Sequence, residues 1–431
     1  MTPIPPISPV PLTPPTVRIG ILLTHVAAVA LIQSTWMALM AVVPVLARKE
    51  FGANDWQTLL ITATPTIFFS LSIFWNDLFG RTRFGRYLVI YWALGCLPLA
   101  AMGLATSYWM LLLAHLVTCI GGAGYHPAAG ELLKGLYPDR LRGRIYSVVW
   151  GSSMTFGAVA GLVVGKWMTG DSEAFRVFLP IAAGLQLAGV GVLTWLAHRT
   201  GVAGRRVLGP PSGGGLARVF EPIDHTKEVL KADPIFARYE AAYMVYGIGW
   251  MIAYALLPIL VTDGLHLDYD EIATSTQFAY LIALVAMIFP AGLLMDRLGA
   301  VRSTGLSFAM LTLYPLGLIW ASNVRELTWV SVLYGVAHAG ASVGWMLGPV
   351  ALAPTPEKVP QYVAIHATFV GIRGKLFQGL GVLLYTLTGS FTLPLVIAAI
   401  AYAWSAQQMW ALHKRMKTGD RGGSPNPRPG L

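Results

Sequence analysis

Residues 366 to 375, "HATFVGIRGK", set a histidine, an arginine and a lysine inside one of the most apolar stretches of the chain. An imidazole titrates near neutral pH, and a guanidinium offers five fixed donors that match carboxylates and phosphates. His366 and Arg373 are seven residues apart and so share one face of a helix, whereas Lys375, two residues further on, points roughly the other way. A cation at the middle of a bilayer-spanning helix costs about 2.5 to 3.5 kcal/mol on insertion scales, so such residues are rare and mark function. Glycines at 371, 374, 379 and 381 would let neighbouring backbone come close enough to satisfy guanidinium donors. Three roles for Arg373 stay open on this ground. It can meet an anionic solute, bond to carbonyls of a neighbouring helix, or pair with Glu240 as a structural bridge.

The element that carries these residues is one of many like it. Of the 431 residues 55% are hydrophobic and 12% charged, about half the charge of a soluble domain. Apolar runs between residues 18 and 412 divide into twelve segments of the roughly 20 residues that a bilayer core requires. The expected fold is therefore an all-α integral membrane protein with twelve transmembrane helices. The first fifteen residues hold seven prolines and no basic residue, which predicts a disordered tail over 1–17 and not a cleaved signal peptide. A six-helix half over 18–198, a polar linker over 199–235, a second six-helix half over 236–412 and a tail over 413–431 complete the expected organisation. Cys96 and Cys119 both fall in apolar segments and read as small core residues.

Charge sorts by side. With both termini on one side, that side collects 23 of the 30 Lys and Arg, and the other holds five: Arg48, Lys49, Lys166, Arg176 and Arg325. The positive-inside rule then makes both termini and the linker cytoplasmic, in a cell membrane. This placement assigns the net charge of +10 to topology and not to nucleic acid. Arg373 and Lys375 are the two basic residues left over, so topology does not explain them.

The halves repeat. "NDLFGRTRFGR" follows the second apolar segment and "GLLMDRLGAVR" follows the eighth, and aligning Asp77 with Asp296 also aligns Gly80 with Gly299 and Arg83 with Arg302. With Arg81 and Arg297 this loop resembles the signature of the major facilitator superfamily of secondary transporters, G-x-x-x-D-[RK]-x-G-[RK]-[RK]. The first copy has Ile73 and Leu78 where glycine and a basic residue are usual, and the second departs at Ala300. "HLVTCIGGAG" is similar to the family's R-x-x-x-G-x-G stretch, with His115 at the arginine position, and "YPDRLRGR" and "PVLARKEFG" also fit. The resemblance covers residues 18 to 412 and implies two pseudo-symmetric six-helix halves, alternating access, and a loop whose residues Asp77, Gly80, Arg81, Arg83, Asp296, Arg297, Gly299 and Arg302 gate the cycle. Simple topological anchoring is the competing explanation for those charges.

The resemblance also implies a midplane site lined by segments 1, 4, 7 and 10. Polar or aromatic residues halfway along them are Gln33, Trp36, His115, Tyr246, Trp250, His338 and Trp345, to which segment 11 adds His366 and Arg373. Each has an ordinary alternative, since mid-helix Trp fills space and histidine bonds to nearby backbone. Five histidines fall within segments, yet no H-x-x-H or H-x-x-x-H pair exists, so neither metal nor cofactor is expected. Glu131 and Glu240 fall near segment ends, and no carboxylate is expected deep in the membrane. Gly157, Gly161 and Gly165 in "GAVAGLVVG" read chiefly as a close-packing device, though they partly resemble an antiporter signature.

The expected function is secondary transport of a small solute by a monomer in the bilayer, with an anionic or acidic metabolite favoured by the midplane cations. The alternatives are a proton-coupled multidrug-type exporter and a sensor or assembly protein with no flux. No nucleotide-binding loop or catalytic triad argues for an enzyme. Asp77→Asn is expected to abolish most flux in reconstituted vesicles while insertion, read from membrane-fraction yield, stays normal; unchanged flux would remove the gating role.

Overall fold

Within a bilayer, backbone polar groups are satisfied only inside helices or closed barrels, and runs this long without period-two alternation choose helices. The computed structural model describes residues 18–69, 71, 75, 78–79, 82–137, 139–202, 226–354 and 358–418. Its elements are α1 (Ile19–Lys49), α2 (Asp55–Phe69), α3 (Phe84–Gly103, broken at Cys96) and α4 (Tyr108–Gly122, continued by Tyr125–Leu136). They continue as α5 (Asp139–Gly170), α6 (Phe175–Arg199), α7 (Pro234–Ile259, running on into Leu260–Gly264) and α8 (Tyr269–Leu298). The last are α9 (Ala300–Leu311 with Leu313–Trp320), α10 (Val324–Leu352), α11 (Val359–Thr388) and α12 (Thr392–Thr418). Among the described residues ten helices are long and apolar enough to cross a membrane. The other two are α2, described over 15 residues, and α11, whose 30 residues include His366, Arg373, Lys375 and Gln378. This is a twelve-helix, all-α membrane fold.

Side-chain caps start several helices. Asp233 Oδ1 accepts from Phe236 N at 3.1 Å to open α7, and Asn323 Oδ1 accepts from Glu326 N at 3.0 Å to open α10. Gly299 closes α8 at φ +80°, a backbone conformation that explains why the loop carries glycine there.

Packing repeats between the halves. α1 lies on α5 and α6 as α7 lies on α11 and α12; α2 pairs with α4 as α8 pairs with α10; α3 meets α4 and α6 as α9 meets α10 and α12. The halves meet chiefly through α2 with α11 and α5 with α8, and α2 also packs on α7. The α5 glycines make the second seam possible. A Cβ on Gly161 would lie 2.6 Å from Gln277 Cδ, and one on Gly165 would lie 2.5 Å from Ala273 Cβ, whereas Gly157 faces Met37 of α1. On the first seam, a Cβ on Gly374 would lie 2.6 Å from Thr66 Cβ, and Gln378 Nε2 donates to Thr66 Oγ1 at 3.3 Å.

The side remote from the termini is clamped by charge. Arg48, at the end of α1, donates to Asp55 Oδ1 and Thr58 Oγ1 of α2 at 3.0 Å each, to Thr262 Oγ1 of α7 at 3.1 Å, and pairs with Asp263. Tyr269 of α8 donates to Glu50 at 3.0 Å, and Thr169 of α5 donates to Asp270 Oδ1 at 2.9 Å. Asp296, Arg297 and Arg302, on the termini side, are exposed and form no ion pair among the described residues, and Arg83 is exposed there too. Asp77, Gly80 and Arg81 lie outside the described residues. The halves are thus closed on the side remote from the termini.

Breaking the Arg48 hub should loosen that closure. A disulfide engineered by Thr169→Cys with Asp270→Cys is expected to form at least about twofold less in an Arg48→Gln background, as a modest shift between two states requires; equal cross-linking would show that Arg48 does not hold the clamp.

A buried charge cluster and a ring-lined wall in the second half

The second half collects the polar chemistry. Along α7, Tyr239, Glu240, Tyr243, Tyr246 and Gly247 turn inward, and α11 answers with Tyr362, His366 and Arg373. The seven-residue step from Glu240 to Gly247 matches the seven-residue step from His366 to Arg373, which lets the two helices register twice along one seam.

Arg373 is 1% exposed. Its Nη1 donates to Tyr243 O at 2.8 Å, and its guanidinium lies 5.9, 5.7 and 6.0 Å from the ring centres of Tyr243, Tyr246 and Trp250. Gly247 provides the space, because a Cβ there would collide with Arg373 Cδ. A desolvated cation over aromatic faces gains about 2 kcal/mol, which offsets part of the burial cost. Of the three roles left open by the sequence, these contacts match the carbonyl-bonded one, and they aim the guanidinium into protein. Lys375 is exposed, on the opposite side of α11.

Glu240 lies near the segment end, as the sequence places it, and is enclosed by protein there. It sits two turns into α7 and is 2% exposed, and both of its carboxylate oxygens accept from His366 Nδ1, at 2.8 and 2.9 Å. A buried acid is therefore present near that end of α7, and its partner is His366, not Arg373. Distance from a helix end is a poor guide to burial here, because α11 and α10 cover that end of α7. Around the pair stand Tyr239, which donates to Gly344 O at 2.9 Å, and Tyr243, which donates to Ala341 O at 3.0 Å. One turn back, Tyr362 donates to Asp233 Oδ2 at 2.9 Å.

Beside this cluster runs a wall of rings. His338 Nδ1 is 2.9 Å from Tyr280 Oη, and its ring stacks at 4.9 Å on Tyr334 and stands 5.9 Å from Trp250. Trp345 lies 5.5 Å from His366. Trp250, Tyr280, Tyr334, His338 and Trp345 are each only partly buried, so their edges stay reachable, whereas Tyr246 is buried and stacked on Phe308 at 4.5 Å. Tyr280 and Tyr334 are not among the residues expected from the sequence. They lie on α8 and one turn before His338 on α10, and the four-residue step back from His338 to Tyr334 is the available signal.

The first-half candidates stand apart from that wall. His115 is 1% exposed and its Nε2 lies 3.1 Å from Ile61 O of α2, with Cys119 Sγ at 3.6 Å. Gln33 is bonded to Tyr125, and the Trp36 ring packs on Gly122, where a Cβ would lie 3.0 Å from its Cζ2. His115, Gln33 and Trp36 thus hold α1, α2 and α4 together.

The sequence profile of the Major Facilitator Superfamily matches residues 26–238 and 239–428, one match per half. The chain is 25% identical over 269 residues to the multidrug resistance protein MdtH of Proteus mirabilis (strain HI4320), covering 59% of this chain and 64% of that protein. It is 25% identical over 232 residues to the MdtH of Enterobacter sp. (strain 638), covering 53% and 52%. The matched region thus spans less than two thirds of either relative. Among solved structures, a peptide transporter POT in complex with sulfate superposes with a TM-score of 0.77 at 14% identity, over 93% of this chain and 96% of that one. A bacterial homolog of the human lysosomal transporter Spinster, inward-facing and unoccupied, superposes with a TM-score of 0.63 at 17% identity, over 96% and 100%. These structures share the fold. Two profile matches spanning both repeats, on twelve helices packed as two equivalent halves, make this chain a member of the major facilitator superfamily of membrane transporters.

Proposed function

We propose that the protein is a multidrug-type secondary transporter that exports amphipathic aromatic solutes. One observation carries the reading: the partly buried rings of Trp250, Tyr280, Tyr334, His338 and Trp345 converge from α7, α8 and α10. Such rings offer flat apolar faces and few fixed donors, which suits solutes sharing an aromatic surface and differing in polar detail. The names of the MdtH relatives point the same way. Cytoplasmic termini, expected from the charge bias, would place the clamped side away from the cell interior.

An anionic or acidic solute is the second reading. Its support is the unpartnered Nε of Arg373, whose guanidinium lies 6.0 Å from the Trp250 ring centre. Its weakness is that the charge of Arg373 already has Tyr243 O and three rings, with Glu240 in the same cluster. Phenol hydroxyls and a neutral imidazole remain to meet a solute, and these do not select for negative charge.

Reconstituted vesicles loaded with ethidium or with salicylate separate the two. Ethidium flux with a KM raised about tenfold in Trp250→Ala is expected, the size of one lost aromatic or cation–π contact. Salicylate flux that vanishes in Arg373→Gln, with no ethidium flux, would replace this reading by the anionic one.

A further inference from the structure

We propose that the termini side carries two matched sites for an anionic phospholipid headgroup, one in each half, built by the ends of α6 and α12 with the starts of α3 and α9. The sites are separate from the solute reading, since no residue of the ring-lined wall takes part in them.

The last helix of each half ends on the same pattern. Residues 195–199 read "WLAHR" and residues 410–414 read "WALHK", so a tryptophan, a histidine and a basic residue recur at steps of three and four. On a helix those steps share one face. Both tryptophans stay open to the surroundings, Trp195 at 49% and Trp410 at 44% exposure. Arg199 lays its guanidinium 5.0 Å from the Trp195 ring centre.

Each pattern leans on the helix beside it. His198 Nε2 lies 3.6 Å from where a Cβ on Gly85 would stand, which sets the imidazole against the first turn of α3, where Arg83 and Arg86 are exposed. Trp410 Cδ1 lies 3.0 Å from where a Cβ on Gly305 would stand, near the start of α9. The charges acting on His413 are those of Lys417, one turn on, and of Arg302 on α9, both positive. Arg83 and Arg302 are the arginines that the loop repeat aligns, so each site takes an equivalent residue from its neighbouring helix.

Arg83, Arg86, Arg199, Arg302, Lys414 and Lys417 are exposed and form no ion pair among the described residues. Cations gathered without carboxylates repel one another, and an anion that enters between them relieves the repulsion. The tryptophans say which anion. An exposed indole one turn before a helix's basic end marks the level of the lipid headgroups, where its ring is half in hydrocarbon and half in water. A lipid phosphodiester meets the cations with its phosphate and the indole with its acyl chains, whereas free phosphate meets only the cations. The positive-inside rule accounts for the Lys and Arg, but not for a histidine and a tryptophan at the same two steps in both halves.

Native mass spectrometry of the full chain in detergent, with phosphatidylglycerol or phosphatidylcholine added, tests the proposal. Wild type is expected to keep about two phosphatidylglycerols, bound at least about fivefold more tightly than phosphatidylcholine, which is the gain from one basic residue near an anionic lipid. Trp195→Ala with Arg199→Gln should keep one, as should Trp410→Ala with Lys414→Gln, and the fourfold variant none. Lys231→Gln with Lys358→Gln removes two exposed cations elsewhere on that side and should keep both lipids. If a tryptophan variant does not fold, the exposed Arg199→Gln and Lys414→Gln alone should each weaken one site about fivefold. Equal retention of the two lipids overturns the proposal. So does a loss in the Lys231 and Lys358 variant as large as in the site variants, which would show bulk charge alone. Displacement of the lipid by equimolar inorganic phosphate would show a phosphate site with no lipid preference and overturns it as well.

Discussion

Everything in the second half follows from one constraint: a bilayer interior does not hydrate a charge, so any charge placed there must be satisfied by protein. Arg373 meets it with a carbonyl of α7, three aromatic faces and the gap left by Gly247. Glu240 meets it with the imidazole of His366 from the same helix as Arg373. Each partner sits across the α7–α11 seam, so these helices cannot part without stranding a charge. Removing one partner of a buried pair costs about 3 to 5 kcal/mol, which is enough to make the seam permanent during function. The second half must then move as a body.

The two halves share a frame and not a chemistry. Equivalent helices pack on equivalent neighbours, yet the first half fills its centre with Trp36 against Gly122, Gln33 against Tyr125 and His115 against a carbonyl of α2. Its α1–α6 contact is equally closed, with Gln186 Nε2 donating to Thr35 Oγ1 at 2.9 Å. The first half closes its centre by packing and neutral hydrogen bonds, whereas the second half carries the buried charges.

Much of this is legible in the residues. Hydropathy and the Asp77/Asp296 repeat yield twelve helices in two halves, because length and loop charge depend on the bilayer alone. The face shared by His366 and Arg373 is also readable, because helical period needs no neighbour. What faces them is not, because linear depth cannot tell whether a helix end is covered; Glu240 lies near the end of α7 and is nevertheless buried. Arg48 stands as an exception to the charge bias, and its role needs the acidic stretch around Asp263 to be brought beside it. In both cases the missing information is a pairing between helices distant in sequence.

The strengths of the two polar systems differ in the direction an alternating cycle requires. At the clamp, Asp263 keeps 50% of its side chain exposed and Asp268, 3.8 Å from Lys49, keeps 69%. Although Arg48 itself is 6% exposed and its pair with Asp55 is better shielded, such exposed pairs contribute about 0 to 1 kcal/mol each and weaken with salt. That is the scale on which a ligand can shift a two-state balance. The buried α7–α11 seam is several times harder to break, and the glycine contacts of α5 with α8 are close-packed and can pivot with little polar rearrangement. A change of a few kcal/mol in that balance is therefore on the scale of the rim and below that of the seam, and the close-packed α5–α8 glycine contacts are where the halves can pivot.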